Sequence, residues 1–565
     1  MDNGSRCIIT TILPPPSARK LGDSLMFRSH LRIALAFLAS ISTAPLFAQT
    51  SLHTRIDAHI QKSLKAAPAV RSSDEEFLRR LYLSLTGVIP SAPEARAFFA
   101  DNAPDKRTKL VDKLLASDGY TRHMTDQFDA LLMDRRADKH VKRPEWRAFL
   151  QASFAANKPY DQFVREMLSA DGSDPKTRSA AKFYLDRDGE PHLLTKDITR
   201  LFLGMNLHCA QCHDHPLVDA YKQDHYYGVM AFFNRSYVFT DPKSKLAVFA
   251  EKAEGDVSYE SVFVAKVKKS TGPRLPDGKP IVEPKFEKGQ EYTTAVAKGE
   301  RAVPKFSRRA QFADLIASKD NTRFARAAVN RMWYFMMGRG IVDPVEYDHP
   351  ANAPSHPELL QMLTEEFVAS NHNVKTLLRA IVLSETYQRS SEPPKGVEID
   401  PKAYNVASLK SLSPEQFAWS MMEAAGLLAT ERKAQGAKPN EAGIYAKLAA
   451  PVANIVNLFG TQPGDPAYGQ DFEATLDQTL FLLNGAVLRD WLAVRPGNLL
   501  DRLNAEKDAN RIADELYLSV LTRTPSAEER KEVADYLLRR GENRAMALQD
   551  YAWALLTSAE FRFNH

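Results

Sequence analysis

The chain has 565 residues, 44% hydrophobic and 26% charged, which is room for two to four domains with sizeable cores. Its 75 Lys and Arg against 70 Asp and Glu leave a net charge of +5, interspersed along the chain, which excludes a dedicated nucleic-acid surface. Three cysteines in a chain of this length exclude a disulfide-stapled scaffold.

Residues 1–48 read as an export leader. Arg28, His30 and Arg32 precede an apolar run from Ile33 to Phe47, with Ala44 or Ala48 as the cleavage point and Met26 as an alternative start. The run is short for a bilayer span and lacks a stop-transfer flank, a retained anchor being the alternative. No later run is long and apolar enough to cross a membrane. The mature protein is therefore expected in the periplasm or an equivalent extracytoplasmic space. Cleavage removes Cys7 and leaves Cys209 and Cys212 as its two thiols.

Ser51 to Ala170 is patterned as helices. Ser73-Asp-Glu-Glu76 is a capping box, with Phe77, Leu78, Leu81 and Leu85 as the buried stripe behind it. Ile89-Pro90 breaks that helix, and Ser91-Ala-Pro-Glu94 opens the next with a second box. Leu110, Val111, Leu114 and Leu115 give a third amphipathic face. Trp146, Phe149, Leu150, Phe154, Tyr160 and Phe163 read as aromatic core.

Ile198, Leu201, Met205, Cys209 and Cys212 recur at steps of three and four. That period predicts one helix, capped by Thr195 and stopped by Pro216. At its end stands Cys209-Ala-Gln-Cys-His213, a C-x-x-C-H sequence of the kind that attaches a c-type haem. Cys209 and Cys212 would form the thioether links and His213 would ligate iron. At i, i+3 and i+4 all three leave one helical face, and the haem is expected to lie against the hydrophobic core. The same residues could form a disulfide, a zinc half-site or two ordinary cysteines. His208, His215 and His225 nearby keep zinc open, although no second C-x-x-C exists to complete a structural site. A thioredoxin-type pair fits poorly, since such thiols gain their reactivity at a helix N-terminus. For a second iron ligand His215, His225 and Met205 are nearest in sequence, with Met230, Met336, Met337 or His372 reachable through the fold.

Residues 237–304 change character. Tyr237-Val-Phe239, Leu246-Ala-Val-Phe249 and Ser261 to Val267 are short β-rich runs, and Pro276-Asp-Gly-Lys-Pro280 reads as a turn. They predict a small antiparallel β insert, after which residues 305–565 return to helices. Asn330 and Arg331 are polar on an apolar helix and are read as buried hydrogen-bonding groups serving the Gly338–Gly340 turn, lining a site being the alternative.

Phe77 to Gly87, Ile89-Pro90, Leu110 to Tyr120 and Tyr160 to Leu168 together resemble the planctomycete cytochrome-type domain (domain of unknown function 1549). The likeness continues through Phe202-Leu-Gly204, Cys209 to Pro216, Asp224, Tyr226, Tyr227 and Ala231-Phe-Phe233, covering about residues 53–236. It implies a helical domain carrying the C-x-x-C-H on Cys209, Cys212 and His213. His225 departs from the acidic residue expected before the paired tyrosines. Phe324 to Trp333, Gly338 to Pro344, Pro354 to Leu360 and Leu377 to Ser391 are similar to the companion domain of unknown function 1553, which often shares a chain with the first.

The chain also echoes itself. Leu81-Tyr-Leu-Ser84 followed by Pro90-Ser-Ala-Pro-Glu94 recurs as Leu516-Tyr-Leu-Ser519 followed by Pro525-Ser-Ala-Glu-Glu529. Ser-x-x-aromatic tails close both copies, at Tyr120 and Phe561, and a third tail ends at Tyr387. A helical hairpin used two or three times around one core is the expectation.

No H-E-x-x-H, phosphate-binding glycine loop, G-x-G-x-x-G or G-x-S-x-G is present. His123, His349, His356 and His372 lack ligand spacing and read as surface or satisfied histidines. The expected architecture is mainly α: a helical domain with the C-x-x-C-H site, a small antiparallel β insert, and a second helical domain. The expected function is an exported haem c protein in electron transfer, or the redox component of an extracytoplasmic assembly with a protein redox partner. The alternative is a non-enzymatic binding scaffold whose C-x-x-C-H is a zinc or disulfide clasp. An extracytoplasmic hydrolase has no motif to carry it, and no enzyme class is assigned.

Overall fold

The computed structural model describes residues 50–294, 296–436, 438–460 and 475–564. The leader assigned to residues 1–48, with Cys7, lies outside them. Helices α1 (Leu52–Ser63), α2 (Asp74–Thr86), α3 (Ala92–Ala100), α4 (Lys106–Leu115) and α5 (Asp118–Met133) open the fold. They are followed by α6 (Arg143–Ala155), α7 (Tyr160–Ser169), the short α8 (Lys182–Leu185), α9 (Pro191–Leu203) and α10 (Gln223–Met230).

The helix α2 departs from its amphipathic reading, because every residue from Phe77 to Thr86 is buried. Phe77, Leu78 and Leu81 join one hydrophobic cluster drawn from Ile56 to Tyr404 with Leu518, while Leu83, with Val88 and Ile89, joins a second built mainly from residues 412–561. A helix between two cores has no solvent face to keep polar. Its buried arginines are consumed by main chain: Arg79 donates to the carbonyls of Val520 and Phe561 at 3.2 and 3.0 Å, and Arg80 to those of Tyr387 and Arg389, both at 2.7 Å. The Ser73 box is half formed. Ser73 accepts from the Glu76 N–H, but the Glu76 carboxylate turns to Arg80 and the Ser391 N–H. The boxes at Ser91 and Ser526 are complete.

The internal echo is a physical repeat. Ser117, Ser384 and Ser558 each donate their hydroxyl to the carbonyl three residues back at 2.7 Å, and accept the N–H of the aromatic three residues on at 3.2 Å. The aromatics Tyr120, Tyr387 and Phe561 are all buried. Arg79 stands over Phe561 and Arg80 over Tyr387, 5.7 and 5.8 Å from the ring centroids.

Two antiparallel hairpins form the insert: β1 (Ser236–Thr240) with β2 (Ala247–Glu251), and β3 (Val257–Ser261) with β4 (Val264–Thr271). Strand β2 is buried along its whole length, Phe249 stacking on Tyr184 of α8 at 4.6 Å. The β3–β4 hairpin turns through Val262-Phe263, and Gly278 N–H closes the expected turn on the Leu275 carbonyl.

Beyond the insert come α11 (Arg308–Ile316), α12 (Thr322–Met337), α13 (Pro357–Ala369), α14 (Val374–Leu383) and α15 (Pro414–Ala425), then further helices to the C-terminus. Asn330 is a structural clamp, its amide exchanging bonds of 2.8 and 3.0 Å with the main chain of Val342, a little beyond the turn expected. Arg331 reaches back to the carbonyls of Arg200 and Leu201. No single described helix is long and apolar enough to cross a membrane. Glu441–Lys447 and Ala449–Phe459 reach that length only as a pair bent by 56°, and their apolar residues belong to the second core.

Candidate functional site

Helix α9 starts five residues earlier than its pattern suggests and ends nine residues sooner. Glu190 is its N-cap and Pro191 its first residue, not Thr195, whose hydroxyl bonds back to the Pro191 carbonyl. Gly204, at φ +64°, ends it in the left-handed conformation that glycine adopts without strain. The single helix expected through Cys212 is therefore not formed. Met205 and Leu207 turn into the core instead, and a strap from the second half of the chain holds them. The Asn206 N–H donates to the Glu346 carbonyl, the Asp348 N–H to the Gly204 carbonyl, both at 2.9 Å, and Met205 bridges Tyr347.

Behind this strap a buried ionic cluster roots α9. Arg200 reaches Glu346 at 3.1 Å and both Asp134 oxygens at 3.1 and 3.2 Å, while Arg187 holds Asp197 at 2.7 Å. Burial pushes the Asp134 carboxyl above its usual range despite these arginines.

The C-x-x-C-H opens on one short 3-10 turn, His208–Gln211, which Cys212 caps and His213 follows. The N–H groups of Cys212 and His213 both point to the Cys209 carbonyl, at 3.3 and 3.4 Å. The main chain of Cys212 and His213 is thus gathered on Cys209 by a turn, not by the helical face that the spacing predicts. Ala210 is buried and anchors the turn; both thiols are exposed and free. They face solvent rather than the core, which corrects the expected packing of a haem against the interior.

The frame around the turn comes from α10 and the insert. Tyr227 donates its hydroxyl to the Gln211 carbonyl at 2.9 Å and stacks on Tyr259 of β3 at 4.3 Å with 4° between the rings. Burial, then the neighbouring Cys212, pushes the Tyr227 hydroxyl up. Buried Gln223 receives the Asp214 side chain on its N–H at 2.8 Å. The hairpin tip crosses the turn: the Val262 N–H donates to the Cys212 carbonyl at 3.1 Å, and the Phe263 ring lies 4.7 Å from that of His213.

His213 Nδ1 sits 2.7 Å from the Asp214 carbonyl oxygen, which can only accept, so Nδ1 carries the proton and the lone pair falls on Nε2. That tautomer is the one a metal-ligating imidazole needs, and a second hydrogen bond of this kind is the usual way it is fixed. The residues therefore fit a haem c: two exposed thiols, an imidazole of the right tautomer, and large apolar side chains left in water beside them. Leu217, Phe263 and Val262 are 83, 76 and 65% exposed. Such surface asks for a cover.

The second-ligand candidates fare unequally. Met205 is buried, as are Met230, Met336, Met337 and His372. His225 is engaged on both nitrogens, Nδ1 donating to the Ala220 carbonyl at 2.9 Å and Nε2 facing Asp277 at 3.4 Å. His215 accepts the Leu217 N–H on Nδ1 at 3.2 Å, which puts its own proton on Nε2. Among the described residues no three His, Cys, Asp or Glu gather as a metal-binding group, those of the C-x-x-C-H included.

Sequence reasoning missed the Val262-Phe263 tip, whose one signal is a pair of large apolar residues at a hairpin turn. It also misread His123, which is buried with Nε2 unpartnered among the described residues.

Fold and site together define a mainly helical, two-part protein presenting an exposed C-x-x-C-H turn. Residues 55–237 match the PSCyt2 family, a protein of unknown function (DUF1549), and residues 308–537 match PSD1, a protein of unknown function (DUF1553). The two matches follow one another in that order along the chain. No curated protein and no solved structure matches it.

Proposed function

We propose that the chain is an exported c-type haem protein, with Cys209 and Cys212 as attachment points and His213 as iron ligand, serving electron transfer or the redox step of an extracytoplasmic assembly. The observation that carries this is the His213 tautomer beside two free, exposed thiols on one turn. The family name PSCyt2 points the same way. A bound haem c supplies a one-electron iron couple. The chain's own part is positional. The Cys209 carbonyl gathers the turn, Asp214 orients the imidazole, and the Val262-Phe263 tip and Leu217 offer apolar surface to an edge otherwise in water.

The test is expression with the haem c maturation machinery, followed by acid–acetone extraction. Haem absorbance at roughly 400–420 nm should survive extraction in the wild-type chain and disappear in the Cys209→Ala, Cys212→Ala double variant. A matured wild-type chain without that band, or a double variant that retains it, refutes the reading. The same preparation tests export: its N-terminus should begin after Ala44 or Ala48.

A further inference from the structure

Far from the cysteines in the sequence, a cavity of about 300 Å³ opens between α5, the end of α12 and residues 409–416. His123, Asp126, Gln127, Lys410, Glu415 and Asn564 give its polar wall, with Leu131 and Phe335 on the apolar side. Its two carboxylates are internally matched. Asp126 accepts from Arg147 at 2.6 Å, and Glu415 takes Arg135 on both oxygens at 3.1 Å. Lys410 lays its amine on the carbonyls ending α12, 3.0 Å from Phe335 and 2.9 Å from Met336. Space is kept for that lysine: a Cβ on Gly338 would stand 2.6 Å from the Lys410 Cγ.

What remains open is a set of acceptors. His123 Nε2, Gln127 Oε1 and Asn564 Oδ1 have no hydrogen-bond partner among the described residues. His123 and Asn564 are only 3 and 2% exposed. The other nitrogen of His123 bonds the Ser84 main chain, and burial followed by Arg122 pushes the imidazole down to about 3. The ring is therefore neutral, and Nε2 is an acceptor. Asn564 spends its amide N–H on Ser84 Oγ at 3.4 Å, leaving the carbonyl oxygen. Buried acceptors without donors are costly, and a site that leaves several in one cavity is built for a donor-bearing guest. Both carboxylates are already paired with arginines, so a cationic guest would find no free counter-charge, while the Lys410 amine rests on carbonyls alone and is what the anionic control addresses.

We propose that this cavity binds a small neutral polyol, whose hydroxyls donate to His123 Nε2, Gln127 Oε1 and Asn564 Oδ1 while its C–H face rests on Leu131 and Phe335. This site is independent of the haem reading.

Xylitol and myo-inositol are the probes, with succinate and putrescine as charged controls of similar size. Saturation-transfer NMR and calorimetric titration of the full mature chain give the readout. At least one polyol should bind with a millimolar dissociation constant, and neither control should. Gln127→Met, at a half-exposed position that tolerates the change, and Asn564→Leu should each weaken that binding by about 3–10-fold, the loss of one neutral hydrogen bond. The proposal is overturned if neither polyol binds at roughly 50 mM, well above a millimolar constant, which would leave water as the sole occupant. It is also overturned if a charged control binds in their place, or if both variants bind as wild type does.

Discussion

Arg200→Met is the sharpest test of how the cysteine turn is supported. Arg200 is 2% exposed and is the nearest cation to Asp134, at 3.1 Å. Without it the closest cations to Asp134 are Arg136 and Arg187, at 3.7 and 3.9 Å, and Glu346 keeps Arg331 at 3.8 Å. Methionine fills the volume of the stem, so what is lost is charge compensation. Breaking a buried ion pair from one side costs about 3–5 kcal/mol. For ~500 ordered residues that lowers Tm by about 3–5 °C. The loss should depend on pH. Burial already raises the Asp134 carboxyl, and Arg200 is the largest influence opposing it. With its folded value above the unfolded one, this carboxyl contributes stability at low pH that is lost as pH rises through the folded value. Losing Arg200 raises it further, so the gap between variant and wild type should be widest at pH 7 and shrink toward pH 5. Thermal unfolding at both pH values measures it, and adding Asp134→Asn should recover part of the loss. A deficit below about 1 kcal/mol at pH 7, or one that ignores pH, would sink this account of the cluster.

Acid lability should trace in part to His123. Its folded value of about 3 lies below that of an unfolded histidine, so the unfolded chain binds the extra proton and stability falls as pH drops from about 6.5 toward 3, by up to about 1.4 kcal/mol per pH unit. His123→Gln should flatten that slope without abolishing it, because burial pushes His356 and His372 in the same direction; an unchanged slope in denaturant titrations across this range refutes the assignment. The Ser-x-x-aromatic tails should be interchangeable caps: Ser384→Ala and Ser558→Ala should each cost about 0.5–2 kcal/mol in chemical denaturation, and no loss in either would reduce the echo to coincidence.

Local features were legible in the sequence and long-range ones were not. The Ser-x-x-aromatic tails and the capping boxes at Ser91 and Ser526 are settled within four residues, so their spacing announces them. The helix assigned through Cys212 failed because Ile198, Leu201, Met205 and Cys209 keep a helical period across Gly204, where the chain has already left the helix. Met205 is buried in the first core while its main chain bridges Tyr347 of the strap, so it does not continue a helical stripe. Helix α2 could not be recognised as buried all round, since its second partner is a core built mainly from residues 412–561. His123 is an ordinary polar residue on α5 until Asn564 and Lys410 enclose it from more than 280 positions away. The C-x-x-C-H itself was legible, whereas the tip that reaches it from Val262 was not, because nothing near Cys212 encodes that pairing.

The turn is held from behind and left open in front, and this bears on how a prosthetic group would enter. Ala210 is buried, the Gln211 carbonyl is held by Tyr227, the Cys212 carbonyl by Val262, and the preceding residues by the Glu346 to Asp348 strap. None of these contacts uses a sulfur or the His213 Nε2. A structural zinc site works the other way, the metal supplying the energy that orders its loop. Here the backbone of the site is ordered by protein contacts alone, and the reactive atoms stay available to chemistry that follows or accompanies folding. The two family segments explain why this order is possible. The strap lies in the second and the cysteines in the first, so Gly204 to Asn206, which lead into the C-x-x-C-H turn, are held by main-chain bonds between the two segments.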